Sequence, residues 1–547
     1  MNSVIIKNKE FHGLFNRKFL IVLLSSILPI FLMSRLNLGN IDPLLAYIIL
    51  SAGVFSGIFL LKKSLQSRII PYSAMQLVIF WIFFELVFLN PLGINFKLYA
   101  LAFGIAMFVF LNDMFTSFGY LWSRFPVFRL LFIFFIINII YFLLNYYSDF
   151  RSYYAVHYDV WINHQTADRI HALTQGIKTT STRDFAESGS ITKYLFSLCS
   201  IVSLSVALMV FKAHNSIESI NNHLLHLIKI IVYGFLAFYT LVALGLILHF
   251  ANIEFIDGQL KGNFLGMKEG FECYLSLFAL LLIGFRLFIL QNDSIKNKNS
   301  LLNPLNLLLV ANITFILLAI RKTSIIAFFL SAFIIFICNL PVIFKNNKPS
   351  GILTSSANNI IFKIILLLSL ALVGLFIYQS SDFVSYLLYH FQERFSSSST
   401  LEIRQSIWNL FLRDWQNTLD LKTAVFGYGV DSSRELTFYV SSMLTGFAPV
   451  DQVHNFYLTM FYEYGLMALF YFGTSIYIVF TSIKNFLNPS ANRYLKIFSS
   501  VSLAIIVFYH IYYFTESPTI PLMIMFFSMV GILESIKESY KQAQADS

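Results

Sequence analysis

Apolar residues run through this chain in long uninterrupted stretches, without the polar face that a helix or strand on a soluble core would show. Breaking the chain at its charged loops leaves stretches near 19–34, 44–61, 70–90, 98–119, 128–147, 191–211, 229–250, 270–290, 303–320, 323–340, 359–378, 454–481, 496–514 and 519–535. Most are about 17 to 25 residues long, enough to cross a hydrocarbon core at about 1.5 Å per residue. The pattern predicts an all-α, polytopic transmembrane helical bundle of about 14 spans (12–14), a single integral membrane domain over residues 1–547. The ten-residue alternation of an outer-membrane barrel is not present.

Composition narrows the class further. With 57% hydrophobic and 12% charged residues over 547 positions, and a mean hydropathy of +0.71, a soluble multidomain enzyme is excluded. The net charge of +10 would point a soluble protein toward nucleic acid, but here its distribution explains it. Lys7, Lys9, Arg17 and Lys18 precede the first stretch, and most of the other basic residues fall in alternate short loops on the same side. The bias of Lys and Arg toward the cytoplasm then predicts both termini cytoplasmic and no nucleic-acid partner. No small-residue cleavage site follows the first stretch, so it is expected to be a retained span. Cys199, Cys273 and Cys338 all fall in predicted spans, and no disulfide is expected. There is no inverted internal symmetry of the kind found in many carriers.

Polar sequence collects on the opposite, outward side, in a first long loop at 148–190 and a larger one at 379–453. In the larger loop, Leu401 to Trp415 carries apolar residues at 403, 407, 408, 411, 412 and 415, the spacing of an amphipathic helix. Arg404 and Arg413 on it face the polar side or a cavity. Val425 to Val430 reads as a strand-like or turn segment in which Gly427 and Gly429 permit close approach or positive φ. His157, His164 and His171 recur every seven residues, but seven helical residues span about 10.5 Å, too far for neighbouring ligands of one metal ion. No phosphate-cradling Gly-rich loop and no clustered Cys and His ligands are visible, so no metal and no cofactor is expected.

Chemistry is concentrated where the larger loop re-enters the membrane, at Val453-His-Asn-Phe. His454 is a candidate general base, since imidazole exchanges protons near neutral pH; the blander role is a helix-start or loop histidine. Glu463 is half a turn out of phase with His454 on a straight helix, so it is expected against another helix with a polar or cationic partner. Arg321-Lys322 separates two apolar stretches at the outer surface, against the basic bias. The doublet either snorkels toward lipid phosphate or clamps a phosphate-bearing ligand, with Lys261, Lys268, Arg404 and Arg413 as possible companions. Glu85, Asp113, Glu272 and His510 are assigned structural roles within the bundle.

In order along the chain, Gln259-Leu-Lys-Gly-Asn-Phe-Leu-Gly266, Ala319-Ile-Arg-Lys-Thr-Ser324, Arg404-Gln-Ser-Ile-Trp408, Phe426-Gly-Tyr-Gly429, His454-Asn455 and Glu463-Tyr-Gly465 resemble the signature of the O-antigen ligase and O-antigen polymerase superfamily. The resemblance covers residues 230–480, with Lys261 where that family commonly has Arg. It implies a bacterial inner-membrane glycosyltransferase, active on the periplasmic face, that takes a glycan from an undecaprenyl-diphosphate carrier. The implied acceptor is lipid A core in a ligase, or the growing glycan in a polymerase. By the same resemblance His454 is catalytic. Arg321, Lys322, Arg404, Lys261 and Arg413 hold the donor diphosphate, and Glu463, Asn455, Gly427 and Gly429 support them. A flippase for the same lipid-linked glycan is the alternative of a different class. Its polar residues would line a path through both leaflets.

Overall fold

The computed structural model describes residues 114–147, 197–212, 216–232, 253–256, 259–262, 271–292, 298–318, 321–345, 399–429, 453–516 and 520–546, apart from a few single positions in and beside these ranges. The expected spans near 19–34, 44–61, 70–90 and 359–378 lie outside them. So do the loop 148–190 with its three histidines, Glu85, Asp113, Lys268 and the N-terminus. The chain divides into two compact units: Met1–Thr116, Tyr233–Glu254 and Lys261–Glu269 form one, and Ser117–Val232, Phe255–Leu260 and Gly270–Ser547 the other. Nearly all the described residues belong to the second unit.

Among the described residues the chain is helical, with one exception to the all-α expectation. Ile253–Ile256 pairs with Gln259–Gly262 in a two-stranded sheet. Glu272–Gln291, Thr323–Leu340, Phe456–Leu487 and Arg493–Tyr513 are long and apolar enough to cross a membrane. Phe118–Arg124 and Pro126–Tyr141, bent by 115°, make a fifth if they are one span. The chain is a multi-helix membrane protein. The bend follows from Pro126, which opens its helix at a position that needs no N–H and forces Phe125 before it into an extended conformation at φ −119 and ψ 97.

Helix Arg493–Tyr513 is the hub, packed against Phe271–Gln291, Lys322–Lys345, Ala468–Leu487 and Ile520–Ala545. Its outward neighbour Lys322–Lys345 shows how these helices are oriented. Ile326, Phe329, Leu330, Phe333, Phe336 and Ile337 are exposed, while Ser324, Ser331 and Asn339 are fully buried. The apolar stripe therefore faces out, as lipid requires, and the polar side chains face in. Inside, Asn339 Nδ2 donates to Ser500 Oγ at 2.8 Å, tying this helix to the hub. Tyr471 and Tyr509 share a hydroxyl contact of 2.5 Å within an aromatic core that includes Phe456, Phe526 and Tyr513.

Two ends of the unit differ in charge. Arg124, Arg129, Lys484, Arg493, Lys537 and Lys541 gather where Ala468–Leu487 ends, Arg493–Tyr513 begins and Ile520–Ala545 ends. Arg124 pairs there with Glu538 at 3.7 Å, and buried Lys537 with Glu534 at 2.5 Å. At the other end lie the starts of Phe271–Gln291, Lys322–Lys345 and Phe456–Tyr464 and the end of the hub helix.

Candidate functional site

Arg404 is positioned by helix Ser399–Thr418, which covers the expected amphipathic segment. Ile407 and Phe411 are buried on it, and Trp408 and Trp415 pack beside Phe411 against Val453 and Tyr462. Arg404 lies one turn before Trp408 and so shares that inward face. Arg413, nine residues on, is half a turn out of phase; it is exposed and does not join Arg404.

Inward-facing Arg404 meets the short segment after the hub helix. Its Nη1 donates to the Thr515 carbonyl at 2.7 Å, and its Nη2 lies 3.4 Å from Glu516 Oε1. Arg321 reaches the same carboxylate oxygen through Nη1 at 3.8 Å, while its Nε sits 3.3 Å from Glu272 Oε1. Glu272 in turn accepts from Ser324 Oγ at 3.3 Å, and Thr515 Oγ1 donates to Thr323 Oγ1 at 3.0 Å. His454 Nδ1 completes the cluster 3.6 Å from Glu516 Oε2. Burial pushes the Glu516 carboxyl up, but His454 and the guanidiniums of Arg321 and Arg404 outweigh it and hold it below the usual carboxylate range. A depressed folded pKa means that the ion pairs of Glu516 with Arg321 and Arg404 are fully present at neutral pH. They are lost only as pH falls through that lowered value.

His454 itself is held from both sides. Trp408 Nε1 donates to the carbonyl of Val453 at 2.9 Å, and Asn455 caps helix Phe456–Tyr464 by accepting from Leu458 N at 3.1 Å. Between these anchors His454 takes φ +50, the one positive φ outside glycine among the described residues. That left-handed backbone costs about 1–2 kcal/mol for a residue with a Cβ, so the anchors must over-determine it. Asn455→Ala is expected to lose about 1 kcal/mol of stability. The loss should appear as a lower thermal midpoint that Asn455→Asp, still able to cap, restores.

The far end of the same short helix is stitched by the Phe426-Gly-Tyr-Gly429 segment. Asp420 caps helix Leu421–Phe426, and the chain then turns at Gly427 with φ +72 instead of extending as a strand. Tyr428 N donates to the Tyr462 carbonyl at 2.9 Å and Gly429 N to the Glu463 carbonyl at 3.1 Å, satisfying helix-end acceptors. A Cβ on Gly427 would lie 2.3 Å from the Glu463 carbonyl, and one on Gly465 2.5 Å from the Ala424 carbonyl. The two glycines therefore let two backbones interlock. Glu463 is buried, accepts a short hydrogen bond from Ser433 Oγ and is part of this stitch, not a partner of His454. Gly427, Gly429, Asn455 and Glu463 thus set where His454 stands.

Of the residues expected to act on a ligand, Arg321, Arg404 and His454 come together. Lys322 begins its helix next to Arg321, but its side chain lies outside the described residues. Lys261 lies in the second hairpin strand, within the first unit. The sequence reading missed Glu516, which approaches Arg321, Arg404 and His454 alike, and treated Glu272 as scaffold only. The available signal was a lone carboxylate in the short Phe514-to-Pro518 connection between two apolar spans.

Chemically, two guanidiniums and an imidazole around a partly exposed carboxylate can bind an anion and exchange a proton in one place. No protein-family model matches this chain, and no curated protein does.

Proposed function

We propose that this protein is a membrane glycosyltransferase of the O-antigen ligase type, moving a glycan from an undecaprenyl-diphosphate donor to an acceptor hydroxyl of lipid A core. The observation that carries the reading is the meeting of Arg321, Arg404 and His454, from three distant segments, at one end of the bundle. A concentration of these groups at one end suits surface chemistry better than passage through both leaflets, which a flippase requires. The opposite end carries the basic residues expected in the cytoplasm, which supports a periplasmic site in a bacterial inner membrane.

In this mechanism Arg321 and Arg404 hold the donor diphosphate by charge-assisted hydrogen bonds. They stabilise the charge that develops on it as the bond from the anomeric carbon to the phosphate oxygen breaks. The bond's electron pair leaves with the lipid diphosphate, and the acceptor oxygen forms the new bond to the anomeric carbon. His454, with Nδ1 toward Glu516, takes the acceptor proton at Nε2. Glu516 orients the imidazole and balances its charge once protonated. The donor is already activated, so neither nucleotide nor metal enters a step.

Purified protein with lipid-linked donor and core acceptor is expected to transfer glycan undiminished in EDTA, measured by the shift of the acceptor on a gel. Loss of transfer in chelator would overturn this mechanism. Surface glycan from a deletion strain fixes the acceptor: chains missing from core but kept on the carrier mean a ligase, and a single repeat on core means a polymerase.

A further inference from the structure

We infer that Glu516 is an exchangeable counter-ion, holding the place at Arg321 and Arg404 that a diphosphate takes and yielding its guanidinium contacts when the diphosphate arrives. The inference rests on the proposed donor site and deepens it. Two guanidiniums face two carboxylates, Glu272 and Glu516, so the arginines are neutralised before any ligand is present. A diphosphate entering beside both carboxylates would meet like charge at close range, which costs several kcal/mol unless one of them withdraws.

The two carboxylates are not equivalent. Glu272 sits in the first turn of a central helix, has a side chain only 2% exposed, and is held by Arg321 Nε and Ser324. Glu516 stands on the non-helical segment after Tyr513, and its side chain is 18% exposed. Its contacts with Arg404, His454 and Arg321 span 3.4, 3.6 and 3.8 Å, all longer than the 2.7 Å bond that Arg404 makes to the Thr515 carbonyl. Charge-assisted hydrogen bonds at full strength run at about 2.7–2.9 Å, so Glu516 lies beside both guanidiniums and the imidazole and is tightly bonded to none. Phosphate oxygens, which can engage a guanidinium fork bidentately, would displace it while Arg404 stays anchored by its carbonyl contact.

Exchange also explains why a transferase would keep an acid here. Uncompensated arginines would hold donor and product diphosphate alike, and uniform tight binding does not speed turnover. A carboxylate that returns to the guanidiniums competes with the departing lipid diphosphate and hastens its release. It stays beside His454 throughout.

The test compares full-length wild type with Glu516→Gln and Glu516→Asp in nanodiscs, titrated with inorganic pyrophosphate and with farnesyl diphosphate. Glu516→Gln is expected to bind pyrophosphate at least about tenfold more tightly. Glu516→Asp, which keeps the charge, is expected to stay near wild type. In the transfer assay Glu516→Gln should show a lower KM for donor together with a lower kcat. Tighter wild-type binding of farnesyl diphosphate than of pyrophosphate identifies a lipid-linked source, and equal binding a free one. Pyrophosphate affinity that is unchanged or weaker in Glu516→Gln overturns the inference. If that variant does not fold, infrared difference spectra of 13C-glutamate-labelled wild type decide: a carboxylate band moves on pyrophosphate addition, or its absence overturns the exchange. Binding needs no turnover, so tighter binding without glycosyl transfer in any sample leaves the exchange standing and removes the transferase reading. Transfer without tighter binding does the reverse.

Discussion

His454→Ala is expected to lower glycosyl transfer by about 10²–10⁴-fold, the usual contribution of a positioned general base, while the KM for donor changes little. The groups of the cluster divide the labour. The diphosphate is held by Arg321 and Arg404, and the imidazole meets the acceptor proton, so its loss removes an interaction made in the transition state. His454→Gln sharpens the test. It keeps a side chain that can hydrogen-bond Glu516 but cannot take up a proton, and it should be as inactive as the alanine variant. Transfer by either variant within about tenfold of wild type would remove His454 from the chemistry. Thermal unfolding controls for the fold, since the left-handed backbone at this position is kept by Trp408 and Asn455, which both variants retain.

Much of this arrangement was legible in the sequence because the membrane makes periodicity and chemistry separable. Apolar length located the helices at Phe271–Gln291, Lys322–Lys345 and Arg493–Tyr513 to within a few residues, since lipid leaves few other ways to satisfy a backbone. The amphipathic spacing from 403 to 415 found helix Ser399–Thr418 for the same reason. Arg413 was grouped with Arg404 because both are arginines in one loop, although helical phase already placed them on opposite faces. The hairpin was missed although Asp257-Gly258, between its strands, is a favoured two-residue turn. Hydropathy had assigned its flanks to a loop, and four-residue strands leave too short a pattern to count.

Glu516 was not legible for a deeper reason. Its importance lies in side chains that approach from positions 321, 404 and 454, and no local pattern around Thr515-Glu-Ser517 encodes that convergence. Glu272 illustrates the same limit. An acid in the first turn of an apolar helix is visible as a buried charge, but its counter-ion 49 residues later is supplied only by packing. Long-range ion pairs are products of the fold, whereas caps and interlocking glycines are local. That is why the turn at Gly427 and Gly429 could be read from the local sequence, and Asn455 from the family resemblance, while Glu516 could not.

Arg321→Met is expected to destabilise the protein by about 3–5 kcal/mol, because it strips the counter-ion from a carboxylate that is almost wholly buried. Glu272 would keep Ser324 Oγ, at 3.3 Å, and its own backbone N–H as donors, neither of them a cation. The double variant Arg321→Met with Glu272→Gln removes both charges together and should recover most of the lost stability, since a neutral amide needs no counter-ion. Its pyrophosphate affinity should nevertheless stay as weak as in the single variant, because the guanidinium that meets the phosphate is still missing. Stability and binding then separate cleanly: Glu272 answers for the first and Arg321 for both. Denaturation in detergent measured alongside pyrophosphate titration reads the two quantities on one sample. A double variant as unstable as Arg321→Met alone would mean that Arg321 holds the bundle through contacts other than Glu272. A double variant that binds pyrophosphate like wild type would take Arg321 out of the anion site.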